Sequence, residues 1–514
     1  MAWWNWVIFG VMAFFHLLHR RLTQKRKLPP GPAGLPIIGH FHLLGKNPHR
    51  DLCRLARKHG PIMYIRLGMV PTIVVSSPAG AELFLKTNDT NFASRPLCQA
   101  AKHMAYDHRT IGFAPYGWHW RNMRKLCILE LLSNFKISQF RGMRKAEVGR
   151  LVGSLKQAAD GREIVDLSSR VLDLTRDMIC LMVFGRKLVD VDGGGDMKGF
   201  RAASLGATEL AGRFHLADYF PFLEVVDVDL QGLTRRMKDL SRVFDGFMEK
   251  IIDDHRSRST ESKGVKKADD DFVDTLMAIL ESGDAGYGFE FDRLHVKAVL
   301  LEMLLVGMDT SAVAVDWAMA ELIRHPQVMK RLQKELEAAF GMEDGVDEES
   351  HGQLDKLEYL DMVVKETLRL HPIAPLLIPH ESLEDCTVGG FHIPRKSRIL
   401  VNAWAIGRDP SVWQGQGQGG DPEMFCPERF VGSDIDLRGR HFELIPFGSG
   451  RRSCPGLQLG LTLLKLVLAQ LVHCFDWELP TPTSNAVDMS ECFGLATSRA
   501  KPLMAIPKYR LTTD

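Results

Sequence analysis

The segment Phe447-Gly-Ser-Gly-Arg-Arg-Ser-Cys-Pro-Gly456 holds the residue types best suited to chemistry, and it runs straight into an apolar stretch, Leu457 to Cys474. Cysteine binds metal as thiolate, a form favoured by a nearby cation or a helix N-terminus. Pro455 suits the first position of a helix, where its missing N–H costs nothing. That would put Cys454 at a helix N-terminus with Arg452 close by. Gly448, Gly450 and Gly456 would let backbone approach something flat and bulky. The combination suits an axial cysteine ligand to haem iron. A buried structural cysteine after a glycine-rich turn is the plainer alternative. A phosphate loop does not fit, because no Gly-Lys-Ser/Thr follows the glycines.

The pattern Phe447-x-x-Gly450-x-Arg452-x-Cys454-x-Gly456 resembles the haem-binding signature of the cytochrome P450 family. Val306-Gly-Met-Asp-Thr-Ser311 is similar to the oxygen-activation motif of that family's central helix. Val306 departs from the usual Ala or Gly and adds bulk near the expected oxygen site. The resemblance implies that Thr310 hydrogen-bonds bound dioxygen and that Asp309 supports proton delivery. Such a relay is needed because cleaving O–O to water consumes protons in a dry pocket. Glu366 and Arg369 lie three apart before His371-Pro372, so they share a helical face; an exposed ion pair is the ordinary reading. They resemble the family's Glu-x-x-Arg pair, which joins a later arginine, here Arg429 in Pro427-Glu-Arg-Phe430, and steadies the cysteine segment from behind. Trp120 and Arg124 match the family's W-x-x-x-R motif. With Arg452, the match implies charge-assisted bonds to the haem propionates, and His380 stands where the family often has arginine or histidine.

These motifs occur in the family's order across most of the chain, in the manner of plant microsomal (A-type) cytochrome P450s. The resemblance implies a haem b monooxygenase taking O2, with electrons from NADPH delivered by NADPH–cytochrome P450 reductase. The implied substrate is a hydrophobic plant specialised metabolite, a terpenoid or a phenolic. By analogy Val306, Ile373, Leu377, Phe493 and Leu495 line its pocket. Arg121, Lys125 and Arg451 are candidates for a basic face that docks an acidic reductase, against the plainer reading of solvated charge. Two other readings stay open: a haem-thiolate isomerase or dehydratase needing no external electrons, and a membrane-anchored binding protein without active haem.

The elements that must position these residues are mainly helical. The 514 residues, 45% hydrophobic and 25% charged, can bury a large core. A net charge of +2 argues against a general nucleic-acid binder. The nine cysteines are scattered, odd in number and free of C-x-x-C pairs, which excludes a disulfide framework and a structural zinc site and points to a reducing compartment. Trp3 to Leu18 is almost wholly apolar; as a helix it spans about 25 Å. Basic residues follow at 20–27, so the charge rule orients the remainder to the cytosol, as for an endoplasmic reticulum anchor. The expected organisation is a transmembrane signal-anchor at 1–19, a basic and proline-rich hinge at 20–36, and a single catalytic domain at 37–514. Its fold class is mainly α with a small β part (α+β), the cytochrome P450 fold that the motifs imply.

Within that domain, Ile62–Leu67 and Thr72–Ser76 read as a strand pair, and short strands are expected around 388–394 and 397–402. The charged stretch 253–271 reads as an exposed connector, and Gln414 to Gly420 as a surface insertion. Asp292 to Arg324 predicts one very long helix on which His295, Glu302, Asp309 and Asp316 recur every seven positions. A solvated stripe would explain that polar line. Gly307 beside Asp309-Thr310-Ser311 points instead to a local opening of the helix.

Overall fold

The computed structural model describes residues 27–187, 203–204, 206–207, 209–225, 229, 231–261, 270–282, 290–342, 346, 353–415, 420–480 and 487–511. The expected anchor at 1–19 and most of the insertion at 414–420 lie outside the described residues. The expected mainly helical architecture with a small β part is observed.

From Lys27 the chain runs without helix, as Pro29, Pro30 and Pro32 require. It does not hang free. Tyr64 N–H donates to Pro30 O at 2.9 Å and His392 N–H to Lys27 O at 2.7 Å. A Cβ on Gly31 would fall 1.9 Å from Tyr64 O, so only glycine permits this approach. Helix α1 (Pro48–His59) then leads to strands β1 (Ile62–Leu67) and β2 (Val70–Val75). Helices α2 (Gln99–Met104), α3 (Trp118–Leu126), α4 (Arg141–Asp160), α5 (Leu167–Phe184), α6 (Leu233–Glu261), α7 (Phe272–Ser282), α8 (Arg293–Arg324), α9 (Pro326–Phe340) and α10 (Glu358–Leu370) follow. The short strand β3 (His380–Glu381), strand β4 (Arg398–Val401) and helix α11 (Leu457–Cys474) complete the frame. The sheet order is β1-β2-β4-β3, with β2 and β4 parallel (Ile73 opposite Ile399) and the other pairs antiparallel.

α8 is the axis of the helical body. Asp292 caps it, accepting from His295 N–H at 2.9 Å while the His295 ring answers the Asp292 N–H. Pro326 prevents its continuation beyond His325. α5 runs along one side of it and α11 along another. α8 and α11 are long and apolar enough to cross a membrane, but both are mostly buried and belong to the core.

Two expectations are corrected. The stretch 253–271 is not all exposed connector: α6 continues to Glu261, and buried His255 pairs with buried Asp271 at 2.9 Å. Nor does α8 open at Gly307. The helix is regular there, and a Cβ on Gly307 would meet Ile179 of α5 at 3.2 Å, so the glycine serves close helix–helix packing.

Candidate active site

Cys454 is half-buried in the turn before α11, and its N–H donates to Phe447 O at 2.9 Å. α11 begins at Leu457, after Gly456 at its N-cap, so Pro455 is not the first helical residue. Desolvation pushes the Cys454 thiol up; the Gly456 N–H and the Arg124 guanidinium pull it back towards thiolate. Arg452 is not that cation. It turns away to donate to Ala93 O, Ile111 O and Ala114 O at 2.5, 3.1 and 2.6 Å.

The glycines divide by role. Gly450, at φ +68°, faces protein: a Cβ there would fall 2.2 Å from Leu85 O. A Cβ on Gly456 would meet only Cys454 Sγ, at 4.0 Å, which leaves that side of the sulfur open to a flat group.

Beside this turn lies a concentration of positive charge. Trp120 of α3 has the guanidinium of Arg452 4.1 Å from its ring centroid and that of Arg124 at 5.6 Å. Its indole N–H is already committed to Ile111 O at 3.0 Å, so Trp120 acts as a stacking surface and not as the expected donor to a propionate. Arg124 donates to Ser453 Oγ at 3.2 Å. A third arginine, Arg95, escaped the sequence reading. It is buried and donates to Gly112 O, Ile378 O and Pro379 O at 3.1, 2.6 and 3.0 Å. Its only sequence signal is a charge inside Phe92-Ala-Ser-Arg-Pro96.

Desolvation, then Arg452 and Arg124, push Arg95 well below the ordinary arginine range, and desolvation with Arg124 brings Arg452 down to about 9. Buried His380, bonded through Nδ1 to Phe92 O at 2.7 Å, is likewise held well below its usual value by desolvation and Arg95. Among the described residues, none of Arg95, Arg124 and Arg452 has a carboxylate at ion-pair distance. Glu302 and Asp89 act on Arg452 only from beyond ion-pair distance, so three crowded guanidinium groups without a direct carboxylate partner suit a ligand bringing carboxylates of its own. Haem has two such groups, so the donor set and the open face of Cys454 both fit it.

On α8, Val306 is 45% exposed although it lies midway along a core helix, so the packing around the helix leaves its side chain uncovered. Thr310 Oγ1 donates to Val306 O at 2.9 Å. Asp309 is not free: Arg176 of α5 lies 3.3 Å from it, and the neighbouring Thr175 hydroxyl donates to Met308 O at 2.9 Å. The heptad line is therefore no solvated stripe. Glu302 accepts the Ile111 and Gly112 N–H groups at 2.6 Å each, and desolvation pushes its carboxyl up to about 7 against their pull. Asp316 takes the Ser168 hydroxyl at 2.6 Å, and His295 pairs with Asp292.

The other expected residues separate. Leu377, at φ +51°, packs near the position a Gly448 side chain would take, and Ile373 O receives Thr497 N–H at 2.8 Å. Leu495 is 37% exposed, beside Gly212. Phe493 is half-buried, with its ring stacked on that of His49 at 5.6 Å. Glu366 and Arg369 pair in the core, and Arg429 joins Glu366 at 3.1 Å. Their further bonds go to Gly407, Trp413, Asp421, Pro422, Met424 and Cys426. The network thus braces the chain at Gly407, Trp413 and Asp421–Cys426, and not the cysteine turn directly.

Residues 29–504 match the family model described as Cytochrome P450. A Panax ginseng protein, cytochrome P450 CYP736A12, is 48% identical over 98% of both chains. The 4-hydroxyphenylacetaldehyde oxime monooxygenase of Sorghum bicolor is 42% identical over 95% of this chain and 90% of its own length. Among solved structures, a zebrafish cytochrome P450 with progesterone superposes with a TM-score of 0.74 at 24% identity, covering 90% of this chain and 99% of that one; this likeness speaks to the fold alone.

Proposed function

This chain belongs to the cytochrome P450 family, and from that premise we propose that it hydroxylates, or otherwise oxidises, a hydrophobic plant specialised metabolite, a terpenoid or a phenolic. It is a monooxygenase with haem b as cofactor and a redox partner as electron source. The sorghum relative is named for 4-hydroxyphenylacetaldehyde oxime, a phenol, which supports the phenolic arm. Haem supplies the activation of dioxygen and the transfer of one of its atoms to substrate.

The chain's own residues do the rest. Cys454 Sγ would hold the iron on the side Gly456 leaves open. Arg95, Arg124 and Arg452 would take the propionates, and Trp120 keeps two of these guanidinium groups in place by stacking. Thr310 carries a hydroxyl proton now given to Val306 O, and turning it from that carbonyl makes it available in the pocket. Asp309 would take up and pass on protons once released from Arg176. Val306, Ile373, Leu377 and Leu495 are offered as the apolar surface for substrate.

NADPH–cytochrome P450 reductase is the proposed electron donor, docking on the exposed Arg121, Lys125 and Arg451. Residues 1–19 would anchor the protein in the endoplasmic reticulum membrane, with 20–36 as hinge and 37–514 as the cytosolic catalytic domain. The cluster of arginines beside Cys454, with Arg452 and Arg124 both over the Trp120 ring and no carboxylate paired directly with them among the described residues, is the observation that carries this reading. A reduced-carbon-monoxide difference spectrum tests it: the parent gives the thiolate-haem band and Cys454→Ala does not. A parent without that band, or a variant that retains it, defeats the assignment. Mass analysis of products from terpenoids and phenolics, with reductase and NADPH, then decides the substrate arm.

A further inference from the structure

Tyr106, Asp107 and His108 have φ of +47°, +54° and +62°. Three consecutive non-glycine residues in the left-handed region are held there only if their surroundings insist, because L-residues avoid it. The turn leaves α2 and runs into Thr110–Ala114, the loop whose Ile111 and Gly112 N–H groups are gripped by Glu302, one helical turn before Val306. Two kinds of contact hold it. Locally, buried His108 receives the Cys98 N–H through Nε2 at 3.1 Å, and Asp107 N–H reaches Lys102 O at 3.3 Å.

Across the fold, the Tyr106 hydroxyl donates to Asp245 Oδ1 of α6 at 3.2 Å. The same oxygen accepts from Lys297 Nζ of α8 at 2.5 Å, and Lys297 also reaches Glu249 at 2.8 Å while lying 5.5 Å from the Tyr106 ring centroid. Desolvation and the Asp245 charge push the Tyr106 phenol up, so it remains a donor. Arg293 extends the cluster, bonding Glu249 and Asp253. One carboxylate oxygen therefore ties three separate elements together.

We propose that Asp245 is a positioning residue for substrate admission, latching the left-handed Tyr106–His108 turn to α6 and α8 so that the 105–114 loop stays closed over α8 beside Val306. Opening requires the Tyr106–Asp245 bond to break, whereupon the backbone relaxes from its left-handed course. The latch sets how fast a hydrophobic ligand enters and leaves more than how tightly it is held. This rests on the oxygenase reading for its meaning, but not for its first test.

Hydrogen exchange of the 105–112 amides, measured on the haem-loaded full chain, should quicken on the order of tenfold in Tyr106→Phe and in Asp245→Asn. Asp253→Asn, on the same helix but with its carboxylate on Arg293 and not on Tyr106 or Lys297, should leave those amides as they are. Unchanged exchange in both latch variants overturns the proposal whatever the haem does. In the second test, 4-phenylimidazole binding is followed by stopped-flow absorbance. Association and dissociation rates should rise together on the order of tenfold, with the dissociation constant shifting by less than about threefold. The reduced-carbon-monoxide band should remain, as a merely destabilised fold would not allow. Rates equal to the parent's, or fully additive effects in Tyr106→Phe/Asp245→Asn, overturn the shared latch. Absence of the carbon-monoxide band in the parent would sink the oxygenase reading alone and leave the exchange result standing.

Discussion

Replacing Glu302 by glutamine removes a carboxyl that desolvation pushes up to about 7, against the pull of the Ile111 and Gly112 N–H groups and of Arg452. An unfolded glutamate titrates at about 4.3, so the folded group keeps its proton through roughly 2.7 further pH units. An acid raised on folding contributes its stability below the unfolded value and loses it as pH climbs through the folded value. At about 1.36 kcal/mol per unit the whole effect is about 3–4 kcal/mol, of which about 2 kcal/mol falls between about pH 5.5 and about pH 8.5. Glutamine abolishes this titration. It also forfeits a hydrogen bond, because its NH2 must face one of two backbone N–H donors. Glu302→Gln should therefore be the less stable protein at about pH 5.5, and the gap should narrow by about 2 kcal/mol by about pH 8.5. Urea midpoints of the two haem-loaded proteins across this range provide the measurement. Parallel profiles would show that Glu302 does not titrate as the fold requires.

Gly450→Ala should cost about 2–3 kcal/mol and lower the haem content of purified protein, since the φ of +68° and the Leu85 carbonyl both oppose a side chain. A Soret-to-protein absorbance ratio equal to the parent's would contradict this. Arg429→Met should lose about 3–5 kcal/mol in urea unfolding, because Glu366 loses one of its two guanidinium partners and the carbonyls of Trp413, Asp421 and Met424 lose a donor. Thr310→Ala should lower the yield of oxidised product per NADPH, the remainder appearing as peroxide or water; unaltered coupling would remove the threonine from the proton path.

Much of the frame was legible because its signals are local. Asp292 before an apolar run and Pro326 after it bound α8, and the proline-rich start of the domain is non-helical by ring geometry alone. Trp120 with Arg124, and Glu366 with Arg369, are neighbours by helical spacing, so their juxtaposition needs no tertiary information. The cysteine turn was legible as a pattern, although its internal geometry was not. Arg452 and Arg124 are both charges near Cys454 in outline, but only packing decides that Arg124 acts on the sulfur while Arg452 gives three of its five N–H groups to carbonyls.

The amino-acid order by itself determined where α8 starts and stops, which spacings recur, and which segment bears the reactive sulfur, because these follow from backbone sterics and a period of 3.6 residues. Only the tertiary structure decided the partners of the charged groups. Asp309 finds Arg176, Asp316 finds Ser168, Arg95 joins Arg124 and Arg452, and Tyr106 reaches Asp245. Phe493 likewise stacks on the ring of His49. A buried charge or ring must be satisfied by whatever the folded chain brings within a few ångströms, and no short-range period in the sequence encodes that meeting.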